Sequence, residues 1–345
     1  MTRLKAAVVG MRGIGPRHAE ILNSLPEYEL VAVCDRNPEV LESPPVQALG
    51  VPLFSEFDLL LSESAPDVVA IATPNASHYA LAQRAIEAGV RGVYLEKPMT
   101  VHLEDARRLL ALSAESGSVL VVNHQRRLLP ELVAMRRLIE EGAIGDVSLI
   151  RACCAGDFLS DGTHAVDSAR FLLGDPPAEW VAGQIFREAA PEAGGGEGYE
   201  KEGGRRFGHP VEDAAMAVVG FRGGVRAEFM TGTLFPPGRW YQDYEAFGTK
   251  GRLWRPSDGQ VPSLRIDRGN GVWEAVPVEE ATEDPMRISY RTFAESIRSA
   301  VPHPLDGATH GFADMEICAA MYESARLHRV VTLPLEEGRF ALERM

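Results

Sequence analysis

The first residues able to do chemistry form a glycine turn. Gly10-Met11-Arg12-Gly13-Ile14-Gly15 follows the apolar run Leu4–Val9 and leads into a helical stretch. In that context the backbone N–H groups of Gly10, Arg12, Gly13, Ile14 and Gly15, with the helix N-terminus behind them, can cradle a pyrophosphate. The usual spacing would put glycine at position 12, where this sequence has arginine and moves the glycine to 13. A tight strand-to-helix turn also needs glycine for steric reasons alone. The Arg12 guanidinium could lie over the pyrophosphate or turn to solvent. Asp35 adds weight to the nucleotide reading. It closes the second apolar run, about 20 residues downstream, where an acidic side chain accepts from the adenosine ribose 2′-OH. Arg36, directly after it, could stack on adenine or accommodate a 2′-phosphate. NAD is the expected cofactor, with NADP left open.

Two later apolar runs also end in polar residues. Val68–Ala72 is followed by Thr73-Pro74-Asn75 with His78 just beyond, and Gly92–Leu95 by Glu96-Lys97-Pro98. If those runs are parallel strands, both groups sit at carboxyl ends, the side on which ligands bind in open α/β sheets. Asn75 and His78 are placed near a nicotinamide ribose, or at a helix N-terminus. A lysine at a strand end is commonly a solvated charge, but Pro98 restricts the backbone beside Lys97 and the bond could be cis.

These residues need a scaffold, and the first 125 positions supply one. Short aliphatic runs, including Leu30–Cys34 and Val119–Val122, alternate with helical stretches such as Ser77–Ala88 and Leu103–Ser116. That alternation implies a parallel sheet covered on both faces. Pro44-Pro45 should break or shorten the helix expected in Asn37–Gly50. Beyond residue 125 a helix is expected from Pro130 to about Glu141. Strand candidates follow at Val147–Cys154, Trp180–Phe186, Asp213–Phe221, Val225–Thr233 and Tyr244–Gly248, with few helices between them. An open antiparallel sheet is the natural outcome. Gly194–Gly208, rich in glycine and charge, reads as a mobile surface loop or lid. Helices are expected again at Pro285–Ala300 and Gly311–His328, then a short strand at Val330–Leu333.

Composition narrows the function classes. The chain of 345 residues is 45% hydrophobic and carries 35 basic against 49 acidic residues, a net charge of −14. An acidic chain without a basic patch argues against nucleic acid or an anionic membrane as partner. No apolar stretch approaches a membrane span, and the N-terminal apolar run is too short for a secretory signal. Cys34, Cys153, Cys154 and Cys318 form no metal-binding spacing, so no metal is expected, and four reduced thiols suit the cytoplasm.

In order and spacing these motifs resemble the glucose–fructose oxidoreductase/inositol dehydrogenase/rhizopine catabolism (Gfo/Idh/MocA) family. The resemblance runs from the glycine turn with His18 through Thr73-Pro74-Asn75…His78, Glu96-Lys97-Pro98 and Asn123 with Arg126-Arg127. It continues through Gly162-Thr163-His164-Ala165-Val166-Asp167 to Tyr322-Glu323-Ser324-Ala325 and Val331-Thr332-Leu333-Pro334. It implies an α/β architecture: an N-terminal Rossmann domain with a doubly wound parallel sheet, over residues 1–125, and a C-terminal α+β domain with a large, mostly antiparallel open sheet, over 126–345. It further implies NAD(P)-dependent oxidoreduction of a hydroxyl or ketone on a sugar, cyclitol or related polyol, and a homodimer or homotetramer formed through that sheet.

Carried over by position, the resemblance makes Lys97 the lysine that hydrogen-bonds the reacting oxygen and His164 the histidine acting beside it as acid/base. Hydride transfer from an alcohol needs both, a base for the hydroxyl proton and a donor for the developing oxyanion. Asp167, three residues after His164, would share its helix face and orient the imidazole, or serve as a structural ion pair. Where the family often has an aspartate four residues before the histidine, this sequence has Ser160, with Asp157 and Asp161 nearby. A dinucleotide-binding sensor without turnover is the alternative that Ser160 raises. The expected cofactor contacts are the glycine turn, Asp35, Arg36, Thr73, Pro74, Asn75, His78, Glu96 and Lys97. The expected substrate contacts are Lys97, Asn123, Arg126, Asp161 and His164, and Arg239-Trp240-Tyr241 could wall a sugar pocket by stacking.

Overall fold

The computed structural model describes residues 2–187, 202–235, 239–299, 303 and 307–345. It divides into two compact units, Met1–Gln125 with Glu283–Phe312, and Arg126–Thr282 with Ala313–Met345.

In the first unit, β1 (Leu4–Val9), β2 (Tyr28–Cys34), β3 (Leu53–Phe54), β4 (Val68–Ile71), β5 (Gly92–Leu95) and β6 (Val119–Val122) form one parallel sheet in the order β3-β2-β1-β4-β5-β6. β4 and β5 are buried at every residue, which is why they read as continuous apolar runs rather than alternating ones. The connecting helices are α1 (Gly15–Ser24), α2 (Pro38–Leu41), α3 (Pro44–Gln47), α4 (Phe57–Ser64), α5 (His78–Glu87) and α6 (Leu103–Ser116). Pro44-Pro45 does interrupt the second connection: α2 and α3 are four residues each, with Pro44 opening α3.

The second unit holds α7 (Pro130–Glu140), β7 (Val147–Cys154), α8 (Gly162–Leu172), β8 (Ala178–Phe186) and a small hairpin, β9 (Arg205–Arg206) with β10 (His209–Pro210). Then come β11 (Ala214–Phe221), β12 (Arg226–Gly232), β13 (Gln242–Gly248), β14 (Arg252–Arg255), β15 (Arg265–Asp267) and β16 (Glu274–Ala275). With β17 (Val331–Thr332) they build a nine-stranded sheet in the order β16-β15-β14-β13-β7-β12-β11-β8-β17. Every pair in it is antiparallel except β7 with β12. α8 packs on β7 and β12 and covers one face of the sheet.

Two helices close the chain, α9 (Pro285–Ser299) and α10 (Gly307–Leu327). α9 corrects the contiguous boundary 126–345, because it belongs with the first unit. Its apolar residues Met286, Tyr290, Phe293 and Ala294 recur at helical spacing. Tyr290 stacks on Tyr94 at 4.2 Å between ring centroids, and Phe293 meets Tyr94 edge-on at 5.5 Å. A side chain at Gly92 would collide with Phe293 and Ile297, so the glycine that opens β5 is what lets this helix lie close. The expected lid is corrected in part: 194–201 lie outside the described residues, but from 202 the chain enters a hairpin whose Arg206 is held by two aspartates.

Candidate functional site

The carboxyl ends of β1, β2, β4 and β5 share one edge of the parallel sheet, and the residues after them make the first cluster. Gly10 stands at φ +90°. A Cβ there would lie 2.5 Å from the Ala72 carbonyl oxygen and 2.9 Å from Thr73 Cγ2, so only glycine lets the turn after β1 press against the turn after β4. Gly13, at φ +54°, has open space where a Cβ would point, and Arg12, Gly13 and Ile14 are exposed around it at the head of α1. The turn is fastened to β2 by Asp35. Met11 N–H donates to Asp35 Oδ2 at 2.8 Å and Asn37 N–H to Oδ1 at 2.9 Å. A carboxylate oxygen can accept more than one hydrogen bond, and the half-buried Asp35 remains within reach of solvent. Arg36 beside it is exposed. An open glycine turn at a helix N-terminus, tied to an acidic strand end, is the donor and acceptor set a dinucleotide requires, and these residues fit NAD.

Two struts sit beneath this edge. The His78 ring nitrogens lie 2.9 Å from the Thr73 carbonyl oxygen and 2.8 Å from that of Pro98, with no exposed surface. His78 therefore ties the loop after β4 to the loop after β5. Of the two places left open for His78, near a nicotinamide ribose or at a helix N-terminus, the structure shows the second: His78 is the first residue of α5, and both ring nitrogens face backbone carbonyls. Burial lowers its proton affinity against the pull of those two carbonyls. Thr73 Oγ1 accepts from Ser77 Oγ at 2.7 Å; Pro74 is exposed and Asn75 buried.

The second strut is Glu96. His18 Nε2 lies 3.0 Å from Glu96 Oε1, Asn123 Nδ2 donates to the same oxygen at 2.6 Å, and Lys97 N–H donates to Oε2 at 3.3 Å. His18 Nδ1 in turn meets Tyr290 Oη at 2.6 Å, and Tyr94 Oη donates to Asn123 Oδ1 at 2.8 Å. Burial alone would raise the Glu96 pKa. The hydrogen bond and charge of His18, the charge of Lys97 and the Asn123 amide overcome that and hold it at about 2. Two expectations change here. The Glu96 side chain supports the strand end rather than a cofactor, and Asn123, fully buried with both amide ends engaged, holds Glu96 rather than substrate. Lys97 is half-buried, and its peptide bond to Pro98 is cis.

The second cluster gathers where α8 begins. Residues 157–161 wind into the helix: Asp161 N–H donates to the Asp157 carbonyl at 3.1 Å, and Ser160 N–H to Asp157 Oδ1 at 2.7 Å. His164 lies buried in the first turn, its N–H donating to the Asp161 carbonyl at 3.1 Å. Tyr241 meets the His164 ring edge-on at 6.4 Å and donates its hydroxyl to Asp161 Oδ1 at 3.3 Å. Its φ of +59° is a left-handed conformation that an aromatic residue rarely adopts and that surrounding packing must enforce. Arg126 lies over the Tyr241 ring at 5.0 Å and donates to Asp258 Oδ1 at 2.6 Å. Arg206 Nη1 donates to Asp161 Oδ2 at 2.6 Å and to Asp157 Oδ2 at 3.0 Å.

Within the second unit the structure thus brings His164, Asp161 and Arg126 together around Tyr241. Asp167 is drawn into a separate buried charge network. Arg127 Nε donates to Asp167 Oδ1 at 2.7 Å and reaches Asp175 with both terminal nitrogens, while Arg170 Nη1 donates to Asp314 Oδ1 at 2.6 Å. Burial and the nearby Asp314 raise the Asp167 pKa, against the opposing charges of Arg127 and Arg170. The geometry gives Asp167 the ion-pair role that the sequence left open beside the orienting one. Sequence reasoning did not single out Arg127, Arg206, His209 or Glu212 as site residues. The Arg205-Arg206-Phe207-Gly208-His209-Pro210 run after the glycine-rich stretch was the available signal for two of them.

Comparison with known proteins agrees with this architecture. Residues 4–124 match an oxidoreductase family model with an NAD-binding Rossmann fold, and residues 132–254 match the GFO/IDH/MocA C-terminal domain. D-apiose dehydrogenase of Paraburkholderia graminis is 31% identical over 191 residues, 50% of each chain. Inositol 2-dehydrogenase of Rhizobium meliloti is 29% identical over 193 residues, 52% of this chain and 58% of the relative. The chain thus spans about half the length of these relatives. Among solved structures, the WlbA dehydrogenase of Bordetella pertussis, in complex with NADH and UDP-GlcNAcA, has a TM-score of 0.78 at 24% identity. That likeness of fold covers 97% of this chain and 100% of the other.

Proposed function

The chain belongs to the GFO/IDH/MocA oxidoreductase family, and on that footing we propose that it is an NAD-dependent dehydrogenase or reductase acting on a hydroxyl or ketone of a sugar, cyclitol or related polyol. The observation that carries the reading is the strand-end edge. A glycine turn pressed on Thr73 and bonded to Asp35 shares that edge with Lys97. In the proposal Gly10, Arg12, Gly13, Ile14 and Gly15 hold the pyrophosphate, and Asp35 accepts from the ribose 2′-OH and repels a 2′-phosphate. The bound nicotinamide supplies the hydride acceptor or donor. Lys97 donates to the reacting oxygen as its charge develops, and His164 takes or returns the hydroxyl proton. Arg126, Asp161 and Tyr241 line the substrate side.

The test is an assay of polyols, aldoses and ketoses with both nicotinamide cofactors. Turnover is expected with at least one, and Lys97→Met should lower its rate by about 10²–10³ while leaving NADH binding by fluorescence nearly unchanged. NADH binding without turnover on any substrate would overturn the enzyme reading, and clearly tighter NADPH binding would overturn the role given to Asp35.

The outer face of the large sheet, which exposes Met216 and Phe186, is the proposed contact for a second copy of the chain. A dimer or tetramer by light scattering is the expected result. A cytoplasmic location belongs to the same proposal, since all four cysteines are buried and unbridged. No helix among the described residues is long and apolar enough to cross a membrane.

A further inference from the structure

Glu96 is the meeting point of two hydrogen-bond chains that share one polarity, both within the first unit. Its carboxylate can only accept, so the side-chain atoms facing it must donate. His18 Nε2, at 3.0 Å from Glu96 Oε1, therefore carries a proton in either charge state of the ring. In the neutral ring Nδ1 then accepts from the Tyr290 hydroxyl at 2.6 Å. Asn123 Nδ2 donates to the same Oε1, which turns the amide oxygen toward Tyr94 and makes the Tyr94 hydroxyl a donor. With its one proton directed there, Tyr94 Oη accepts from Ser289 Oγ at 2.7 Å, and His303 Nε2 donates to the Ser289 carbonyl at 2.8 Å. The two chains leave α9 from neighbouring residues, Ser289 and Tyr290, and both end on Glu96 Oε1. Burial pushes the Tyr94 and Tyr290 hydroxyls up, so both keep the protons that these chains need. The His18 ring also meets Tyr94 and Tyr290 edge-on, at 5.8 Å from each, and Tyr28 Oη donates to the Tyr290 carbonyl at 2.5 Å.

With Oε1 held from two sides, the carboxylate is kept from turning and its other oxygen stays beside Lys97. There Oε2 accepts from the Lys97 N–H at 3.3 Å, and the charge of the Lys97 ammonium favours the anion. The attraction acts equally on the ammonium. A lysine charge rides on a flexible four-carbon stem, and a fixed anion next to it selects among the positions that the stem allows. We propose that His18 and Tyr290 are positioning residues for Lys97: they fix the Glu96 carboxylate, which draws the Lys97 ammonium to the strand end where it donates to the reacting oxygen. This rests on the dehydrogenase reading. His18 is well placed for the task. It lies in the first turn of α1, its N–H bonded to the Ile14 carbonyl at 3.2 Å, so the grip on Glu96 comes from the helix that begins at the glycine turn. Tyr290 brings the support of α9, 272 positions away in the chain.

Steady-state kinetics on the full-length chain test this with His18→Leu, His18→Gln and Tyr290→Phe, each with and without Lys97→Met. His18→Leu should lower kcat about tenfold, the scale of a displaced catalytic group, with the polyol KM and the NADH affinity near the parent values. His18→Gln should keep most of the parent kcat, because its amide N–H can take the place of Nε2–H. Tyr290→Phe should cost a few-fold. On Lys97→Met none of the three should lower the rate further, since no ammonium is left to place. Losses that multiply with that of Lys97→Met, equal losses in His18→Gln and His18→Leu, or a fall in NADH affinity matching the fall in kcat overturn the positioning role and leave the dehydrogenase reading intact. A folded His18→Leu protein or a Tyr290→Phe protein with the parent kcat does the same. Should leucine beside the Glu96 anion prevent folding, Tyr290→Phe, which removes a single oxygen, decides through its pairing with Lys97→Met. A parent chain that turns over no substrate overturns both readings.

Discussion

Glu96, at the end of β5, and Glu212, ahead of β11, are both buried carboxyl groups, yet they titrate in opposite directions. Glu96 is held at about 2 and Glu212 is pushed up to about 7. Each has side-chain and backbone donors. Glu212 accepts from Phe158 N–H at 2.7 Å and from the Tyr322 hydroxyl at 2.9 Å, distances as short as most of those around Glu96. Neutral donors therefore do not decide the sign. Around Glu96 the other charges, on Lys97 and on His18, favour the anion. Around Glu212 burial is reinforced by a second carboxylate, Asp157. Asp167 follows the Glu212 pattern: burial and Asp314 push it up, and even Arg127 and Arg170 do not reverse the result. Buried carboxylates in the first unit's network are anions that fix a strand end. In the second unit, around Glu212 and Asp167, a second carboxylate adds to burial in raising the proton affinity.

The sharpest way to break this contrast is to remove a cation from the second unit. Arg127→Met leaves Asp167 and Asp175 without their guanidinium and should destabilise the chain by about 3–5 kcal/mol, the range for breaking a buried pair from one side. Urea unfolding at neutral pH measures it. Adding Asp167→Asn should restore a good part of the loss, because it removes the stranded charge. A cost below about 1 kcal/mol would mean that solvent reaches the network.

A smaller effect is expected at Glu96. Glu96→Gln keeps the shape but turns a charge-assisted bond into a neutral one, at about 1–3 kcal/mol near pH 7. The pH dependence carries more information. A depressed pKa stabilises the fold above the unfolded value near 4.3 and loses that contribution as pH falls through about 2. The variant should therefore show a shallower decline of stability between about pH 4.3 and 2. An unchanged acid limb would mean that His18 and Lys97 do not hold the anion.

The parts of this picture that were legible in the sequence share a cause. β4, β5 and β6 carry their signal locally, as buried aliphatic runs ended by polar residues, and Asp35 and Lys97 follow from their places at run ends. What the sequence hid depends on distant pairing. β7 lies parallel to β12, with Leu149 opposite Arg226, and no local periodicity announces that neighbour. The short strands β14, β15 and β16 fell below any pattern for the same reason. Asn123 and His78 have the composition of ligand contacts, yet their partners, Tyr94 with Glu96 and the Pro98 carbonyl, come from β5 and the turn after it. α9 brings Tyr290 to His18 across 272 positions of chain. Residue type marked the right neighbourhood, and burial decided which side chains support it and which face a ligand.

The most direct test of the comparison lies at Glu212. A raised carboxyl pKa works in the opposite sense to Glu96. The folded state binds the proton more tightly, so the contribution is fully present below the unfolded value near 4.3 and is lost as pH rises through about 7. Over that window the group should make stability fall with rising pH, by at most about 1.4 kcal/mol per pH unit for one proton. Glu212→Gln imitates the protonated acid: its carbonyl can still accept from Phe158 N–H, and its amide can donate to the Tyr322 oxygen. The variant should match the parent near pH 5 and exceed it by up to about 2–3 kcal/mol at pH 8, with a flatter profile between, read by thermal unfolding across the series. Asp157→Asn should flatten the same window from the other side, by letting Glu212 ionise more readily. If Glu212→Gln flattens the slope between pH 5 and 7 and Asp157→Asn does not, burial alone sets the sign; if Glu212→Gln leaves the slope unchanged, the raised proton affinity of Glu212 is overturned.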